Sequence, residues 1–88
     1  MKELIINITP FILTQNLFIF ENGKLINAES FQLKDIAKAV FSKDNVEKVV
    51  LCGNRNYVEK FKKELQEEEI KKYNQNKIIF EVKETANV

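Results

Sequence analysis

The stretch Val49–Phe61, VVLCGNRNYVEKF, decides the fold. Val49-Val50-Leu51-Cys52 is an unbroken apolar run rich in β-branched residues, as expected of a central strand in a parallel sheet. Gly53 ends it. Asn56 and Glu59 have the spacing of a capping box, with Asn in place of Ser or Thr. Val58, Phe61 and Leu65 then recur at the spacing of a helix that buries one stripe. Downstream, Asn74-Gln75-Asn76 reads as a loop and Ile78, Ile79, Phe80 and Val82 as a last strand, with a frayed tail from Glu84.

Upstream lies a second clear signal, NLFIFENGKLINA from Asn16 to Ala28. Two apolar runs, Leu17–Phe20 and Leu25–Ile26, flank Asn22-Gly23, the pair that supplies the two positive φ angles of a type I′ hairpin turn. Leu17 and Ile19 face one side, Phe18 and Phe20 the other. Four large apolar residues in a row predict that both faces are covered, by helices or by a second chain. Before the hairpin, Leu4, Ile6 and Ile8 alternate with Ile5 and Asn7 as a strand, which Pro10 interrupts. Phe11–Leu13 either continues an edge segment or begins the next strand. After the hairpin, Ser30 is the expected cap of a helix whose buried stripe is Leu33, Ile36, Ala37, Val40 and Phe41. Ser42–Asn45 make its exit turn.

The order is strand, hairpin, helix, strand, helix, strand. Two helical crossovers imply parallel strands and right-handed connections. The expected class is α/β: a mixed sheet of about five strands with two helices, an N-terminal antiparallel hairpin followed by a parallel βαβαβ path. Its 88 residues make a single domain, 1–88, with a modest core.

Composition narrows function. The chain is 44% hydrophobic and 31% charged, and its formal net charge of +1 gives no overall field toward nucleic acid or anionic lipid. The first residues do not read as a signal peptide, and no segment approaches the roughly 18 apolar residues of a membrane span. With one cysteine, Cys52, no internal disulfide can form, and a reducing, cytoplasmic setting is expected. Thirteen Lys against one Arg, with ten Asn and ten Ile, point to an AT-rich genome, low-GC bacterial or phage.

There is no His, so the commonest general base and metal ligand is missing, along with any Ser-His or Cys-His pair. Cys52 reads either as a small buried apolar residue or as a thiol made reactive by a nearby helix N-terminus. Glu67, Glu68 and Glu69 read as a solvated helix face among lysines, laced by i,i+4 pairs such as Glu59–Lys63, Glu67–Lys71 and Glu68–Lys72. Asp35, Asp44 and Glu81 form no pair for acid–base work. No enzyme activity, cofactor or metal is expected.

Two binding features remain. Gly53, Asn54 and Arg55 would sit at the carboxyl end of a central strand and the start of a helix, where anions bind; the alternative is a plain strand-to-helix joint, because neither GxGxxG nor GxxxxGK[ST] is present. Phe18 and Phe20 are either core under helices or aromatics on an open sheet that stack bases. Lys60, Lys62, Lys63, Lys71 and Lys72 share a helix with interleaved acids, which argues against a phosphate-tracking surface.

From Lys2 to Val82 the element order, three antiparallel strands then helix, strand, helix, strand, resembles a shortened ribonuclease H-like fold. Members that cut nucleic acid carry an Asp on the first strand and further acids at later strand ends. Here Asn7 stands at the comparable place and the fourth strand ends in Leu51-Cys52-Gly53. The resemblance therefore implies the fold without two-metal hydrolysis.

The reading is a small non-enzymatic interaction protein, a regulator or inhibitor that binds another macromolecule, with a protein partner expected and a homodimer as one form of contact. Phe11, Ile12, Leu17, Ile19, Ile79 and Glu81 are its candidate surface. One alternative is an anion- or nucleotide-binding module at Gly53–Arg55. Another is a degenerate ribonuclease H-like domain that still binds nucleic acid.

Overall fold

Asn22 and Gly23 both take positive φ, 51° and 83°, and turn strand β2 (Thr14–Glu21) back into strand β3 (Lys24–Gln32). The computed structural model describes residues 1–84; the expected frayed tail beyond Glu84 lies outside the described residues. The remaining strands are β1 (Lys2–Asn7), β4 (Val46–Gly53) and β5 (Ile79–Glu84), and the helices are α1 (Ile36–Phe41) and α2 (Arg55–Lys71). All five strands form one mixed sheet in the order β3-β2-β1-β4-β5. β1 pairs antiparallel with β2 and parallel with β4, and β4 pairs parallel with β5. The α/β architecture of a mixed five-stranded sheet with two helices is therefore present as read from the sequence.

Two local boundaries differ from the reading. Ser30 does not cap a helix. It lies in β3 opposite Asn16, because pairing with β2 carries β3 on to Gln32. The chain then makes a 3-10 turn over Leu33–Asp35 before the short α1, whose first turn receives no side-chain cap. The cap of α2 is Asn54 and not Asn56: its side chain accepts from the Tyr57 N–H at 3.2 Å, so the helix starts two residues earlier than the capping-box spacing implied.

Both helices lie on one face of the sheet. Leu4 and Ile6 of β1 pair with Ile19 and Leu17 of β2 and with Val49 and Leu51 of β4, so these side chains share that face. They are buried together with Ile36 and Val40 of α1 and Val58 and Leu65 of α2. Each fully buried Leu, Ile or Val contributes about 1.5–3 kcal/mol, so this one layer carries the stability of the fold. The molecule measures 33 × 30 × 20 Å, its short axis the depth of one sheet and one helix layer.

Two buried polar side chains fasten the ends of this layer. Gln15, 2% exposed, shares the inward phase of Leu17 and Ile19. It accepts from the Thr9 N–H at 2.8 Å and donates to the Thr9 and Ile12 carbonyls at 3.1 and 2.6 Å, closing the β1–β2 loop. Glu69, 1% exposed, accepts from the Lys77 and Ile78 N–H groups at 3.0 and 3.1 Å and so ties the end of α2 to the start of β5. The expectation of a solvated Glu67–Glu69 face fails at Glu69, which lies four residues after Leu65 on the buried stripe. Glu69→Ala strands two backbone donors and should cost about 2–4 kcal/mol in urea unfolding, with Glu69→Gln, which keeps an acceptor, near half of that. A loss under about 0.5 kcal/mol for Glu69→Ala would show that the carboxylate does not hold this joint.

Candidate functional site

The turn at the end of β4 is built for close packing. Gly53 has φ +152°, and a Cβ there would lie 2.5 Å from the Ile8 carbonyl oxygen and 2.9 Å from a Val58 methyl. Glycine is thus required by the approach of the β1 end and α2, with no ligand needed to explain it. The Ile8 N–H donates to the Cys52 carbonyl at 2.9 Å and extends the β1–β4 pairing to this point. Asn54 already satisfies the third N–H of α2, and its carbonyl accepts from Tyr57 and Val58. Arg55 lies between two carboxylates, 3.7 Å from Glu59 and 3.9 Å from Glu84. Gly53, Asn54 and Arg55 are together at the carboxyl end of the sheet, but an anion would compete there with Glu59 and Glu84.

Cys52 is buried, directly opposite Asn7 on β1 and Lys83 on β5. Burial pushes its thiol up from the ordinary value of 9.0, against a smaller lowering by the Lys83 charge. The reading of a thiol activated by the helix N-terminus is therefore corrected: loss of solvation outweighs the positive charge nearby. Among the described residues, no three His, Cys, Asp or Glu side chains gather into a group that could hold a metal ion. A cleft of about 210 Å³ lies beside the stacked rings of Phe41 and Tyr73, centroids 4.5 Å apart; larger concavities of about 360 and 510 Å³ run along Glu64–Lys72 and beside Met1, Glu47 and Lys77, and both are lined largely by exposed charged side chains.

The face of the sheet away from the helices is different in kind. Cross-strand register arranges it in three rows. The middle row runs Ala28, Phe18, Ile5, Val50, Glu81. The row toward the β1 N-terminus runs Leu25, Phe20, Glu3, Lys48, Ile79, and the row toward its C-terminus Ser30, Asn16, Asn7, Cys52, Lys83. Among the described residues no helix covers these rows: Phe18, Phe20 and Ile5 stand half-buried, and Leu25 and Ile79 are 55% and 60% exposed. Lys48 and Glu81 pair at 3.4 Å within the face.

The candidate surface residues divide accordingly. Ile79 and Glu81 lie on the uncovered face. Leu17 and Ile19 do not; they are 0% and 5% exposed under the helices, and Phe18 and Phe20, read as core or as base-stacking residues, take the outer face instead. Of the two coverings expected, helices supply only one, since both helices use the Leu17 side. Phe11 and Ile12 are exposed with Leu13 at the tip of the β1–β2 loop, and Phe11 holds a left-handed φ of 66° at 105% relative exposure. Sequence reasoning missed Ile5 and Leu25 as residues of the uncovered face; Val50 shares that face but is buried, 8% exposed. The available signal was phase: Ile5 alternates with Leu4 and Ile6 but shares its side with Asn7, and Phe18 shares its side with Asn16.

No family model matches the sequence, and no curated protein and no solved structure matches it.

Two measurements check the local chemistry. Asn54→Ala should cost about 1 kcal/mol and Asn56→Ala less than about 0.5 kcal/mol in chemical unfolding; the reverse order would return the cap to Asn56. The raised thiol of Cys52 predicts stability that is fully present below pH 9.0 and declines as pH climbs through the folded-state value, because the unfolded chain ionises first. Urea midpoints followed upward from pH 8 should fall more steeply for the wild type than for Cys52→Ala; parallel profiles would remove the thiol as the cause.

Proposed function

We propose that this chain is a non-enzymatic interaction domain, a regulator or inhibitor in kind, that binds another protein through the uncovered face of its sheet. The observation that carries the reading is the placement of both helices on the Leu17 side, which leaves Phe18, Phe20, Ile5, Leu25 and Ile79 without a covering layer. Contiguous exposed apolar surface marks contact sites, and aromatic residues are enriched at the centres of protein interfaces.

Charge distribution favours protein over nucleic acid. From Leu4 to Phe20 the sequence holds no Asp, Glu, Lys or Arg, although 31% of the chain is charged. Depletion of charge is what an interface core shows, whereas a nucleic-acid face needs uncompensated Lys and Arg along the phosphate path. The charges named in the three rows, Glu3 and Glu81 against Lys48 and Lys83, cancel. The ribonuclease H-like resemblance stands in this reading as a proposal about fold only: Asn7 and Cys52 face each other at the ends of β1 and β4, and neither is the carboxylate that two-metal chemistry needs.

The test is retention from native-host extract on the immobilised protein, comparing the wild type with Phe18→Lys and with Lys60→Ala on the exterior of α2. A stoichiometric protein should be retained by the wild type and by Lys60→Ala and lost with Phe18→Lys, while the far-UV circular dichroism of all three agrees. Retention that ignores Phe18, or retention of nucleic acid alone, would overturn the proposal.

A further inference from the structure

Resting on the reading of the uncovered face as a protein-binding surface, we infer that its occupant is a second copy of this chain, packed sheet against sheet about a two-fold axis through the Phe18–Ile5 region. Three features of the face point to a copy of itself.

The first is electrical. A two-fold interface is self-complementary, so each copy must offer both signs or neither. The half of the face over β1, β2 and β3 carries Ile5, Asn7, Asn16, Phe18, Phe20 and Ala28 without a charge, Glu3 alone excepted. The half over β4 and β5 carries Lys48, Glu81 and Lys83. Summed, the face is neutral, and Lys48 and Glu81 already neutralise one another within the chain. An acidic, basic or polyanionic partner would find no matching excess. An axis near Phe18 buries the uncharged half at the centre and leaves the charged half at the rim, the ordinary anatomy of an interface.

The second is area. An axis between β1 and β2 lays the four strands β3, β2, β1 and β4 over their twins; spaced about 4.8 Å apart, with six paired residues rising about 3.3 Å each, they give a flat footprint of about 380 Å² per copy. Two copies supply about 760 Å² of flat area, and the relief of the Phe, Ile and Leu side chains on that face adds to it toward the roughly 1,000 Å² of a small specific interface. The third is shape. A two-layer slab with one bare sheet face becomes a four-layer body when that face meets its twin, and aligned sheets pack face to face about 10 Å apart with interdigitated side chains. Phe18 and Phe20 project toward that gap from a central strand.

Sedimentation equilibrium of the whole chain at about 100 µM, where an interface of this size is populated, tests the inference. The expected mass is twice 10.3 kDa, falling toward 10.3 kDa on dilution. Phe18→Lys, and separately Phe20→Lys, should give the single-chain mass with unchanged circular dichroism. Asn27→Lys, opposite Ile19 on the helix side of the edge strand β3, should leave the dimer intact. A wild type that stays at 10.3 kDa overturns the inference, and so does a dimer that survives both Phe variants or dissolves with Asn27→Lys, which would mean edge-to-edge pairing. A single-chain mass together with Phe18-dependent retention of a host protein overturns the second copy alone and leaves the protein-binding reading standing.

Discussion

The direction of the two crossovers governs the rest of the molecule. Connections between parallel strands are right-handed. The path β3–α1–β4 and the path β4–α2–β5 both step the same way across the order β3-β2-β1-β4-β5. Both helices must therefore fall on the same side. A doubly wound sheet reverses its step once and so places helices on both faces; this one has no reversal among its helical connections. One face becomes the core, with Leu4, Ile6, Leu17, Val49 and Leu51 sealed under Val40, Val58 and Leu65. The other face is left to the solvent or to a partner, although Ile5, Phe18, Phe20, Leu25 and Ile79 on it are as apolar as the core residues.

That asymmetry explains why the sequence reveals the architecture more readily than the surface. Asn22-Gly23, the β-branched run before Gly53 and the stripe Val58, Phe61, Leu65 each report a local event, and each such event occurs where read. Which side of β2 is inside is not local. Leu17 and Ile19 are no more apolar than Phe18 and Phe20; the choice depends on where the helices land. The deciding residues are the modest ones. Gln15 shares a side with Leu17, and Asn16 shares one with Phe18. A glutamine can be buried when three backbone partners wait for it, and Asn7, Asn16 and Ser30 together mark the wet side. Those partners are invisible until the loop is folded. Glu69 is concealed in the same way: its acceptors are in use only because Lys77 and Ile78 come back past the helix end.

The joint at Gly53 shows how one residue can look like a binding motif for reasons of space. A glycine at a strand end before a helix is common to phosphate loops and to tight packing. Here the separation between the Ile8 carbonyl, the Val58 methyl and the Gly53 backbone admits no side chain, and the helix donor beside it is met by Asn54. Arg55 completes a small charged network with Glu59 and Glu84 and links the start of α2 to the end of the edge strand. The carboxyl end of the sheet is thus closed by the chain's own groups.

The loop between β1 and β2 carries a different consequence. Gln15 anchors it from within, the Leu33 N–H donates to the Leu13 carbonyl from the far side, and Phe11 is kept in a left-handed conformation with its ring outside. A bulky residue in that region stores conformational strain of order 1–3 kcal/mol, which the surrounding hydrogen bonds sustain. The tip is accordingly displayed already set, and the entropy of arranging it has been spent in folding. A surface that meets Phe11 has little loop ordering left to accomplish, so the strength of such a contact would follow the fit of the ring and not the flexibility of its stem.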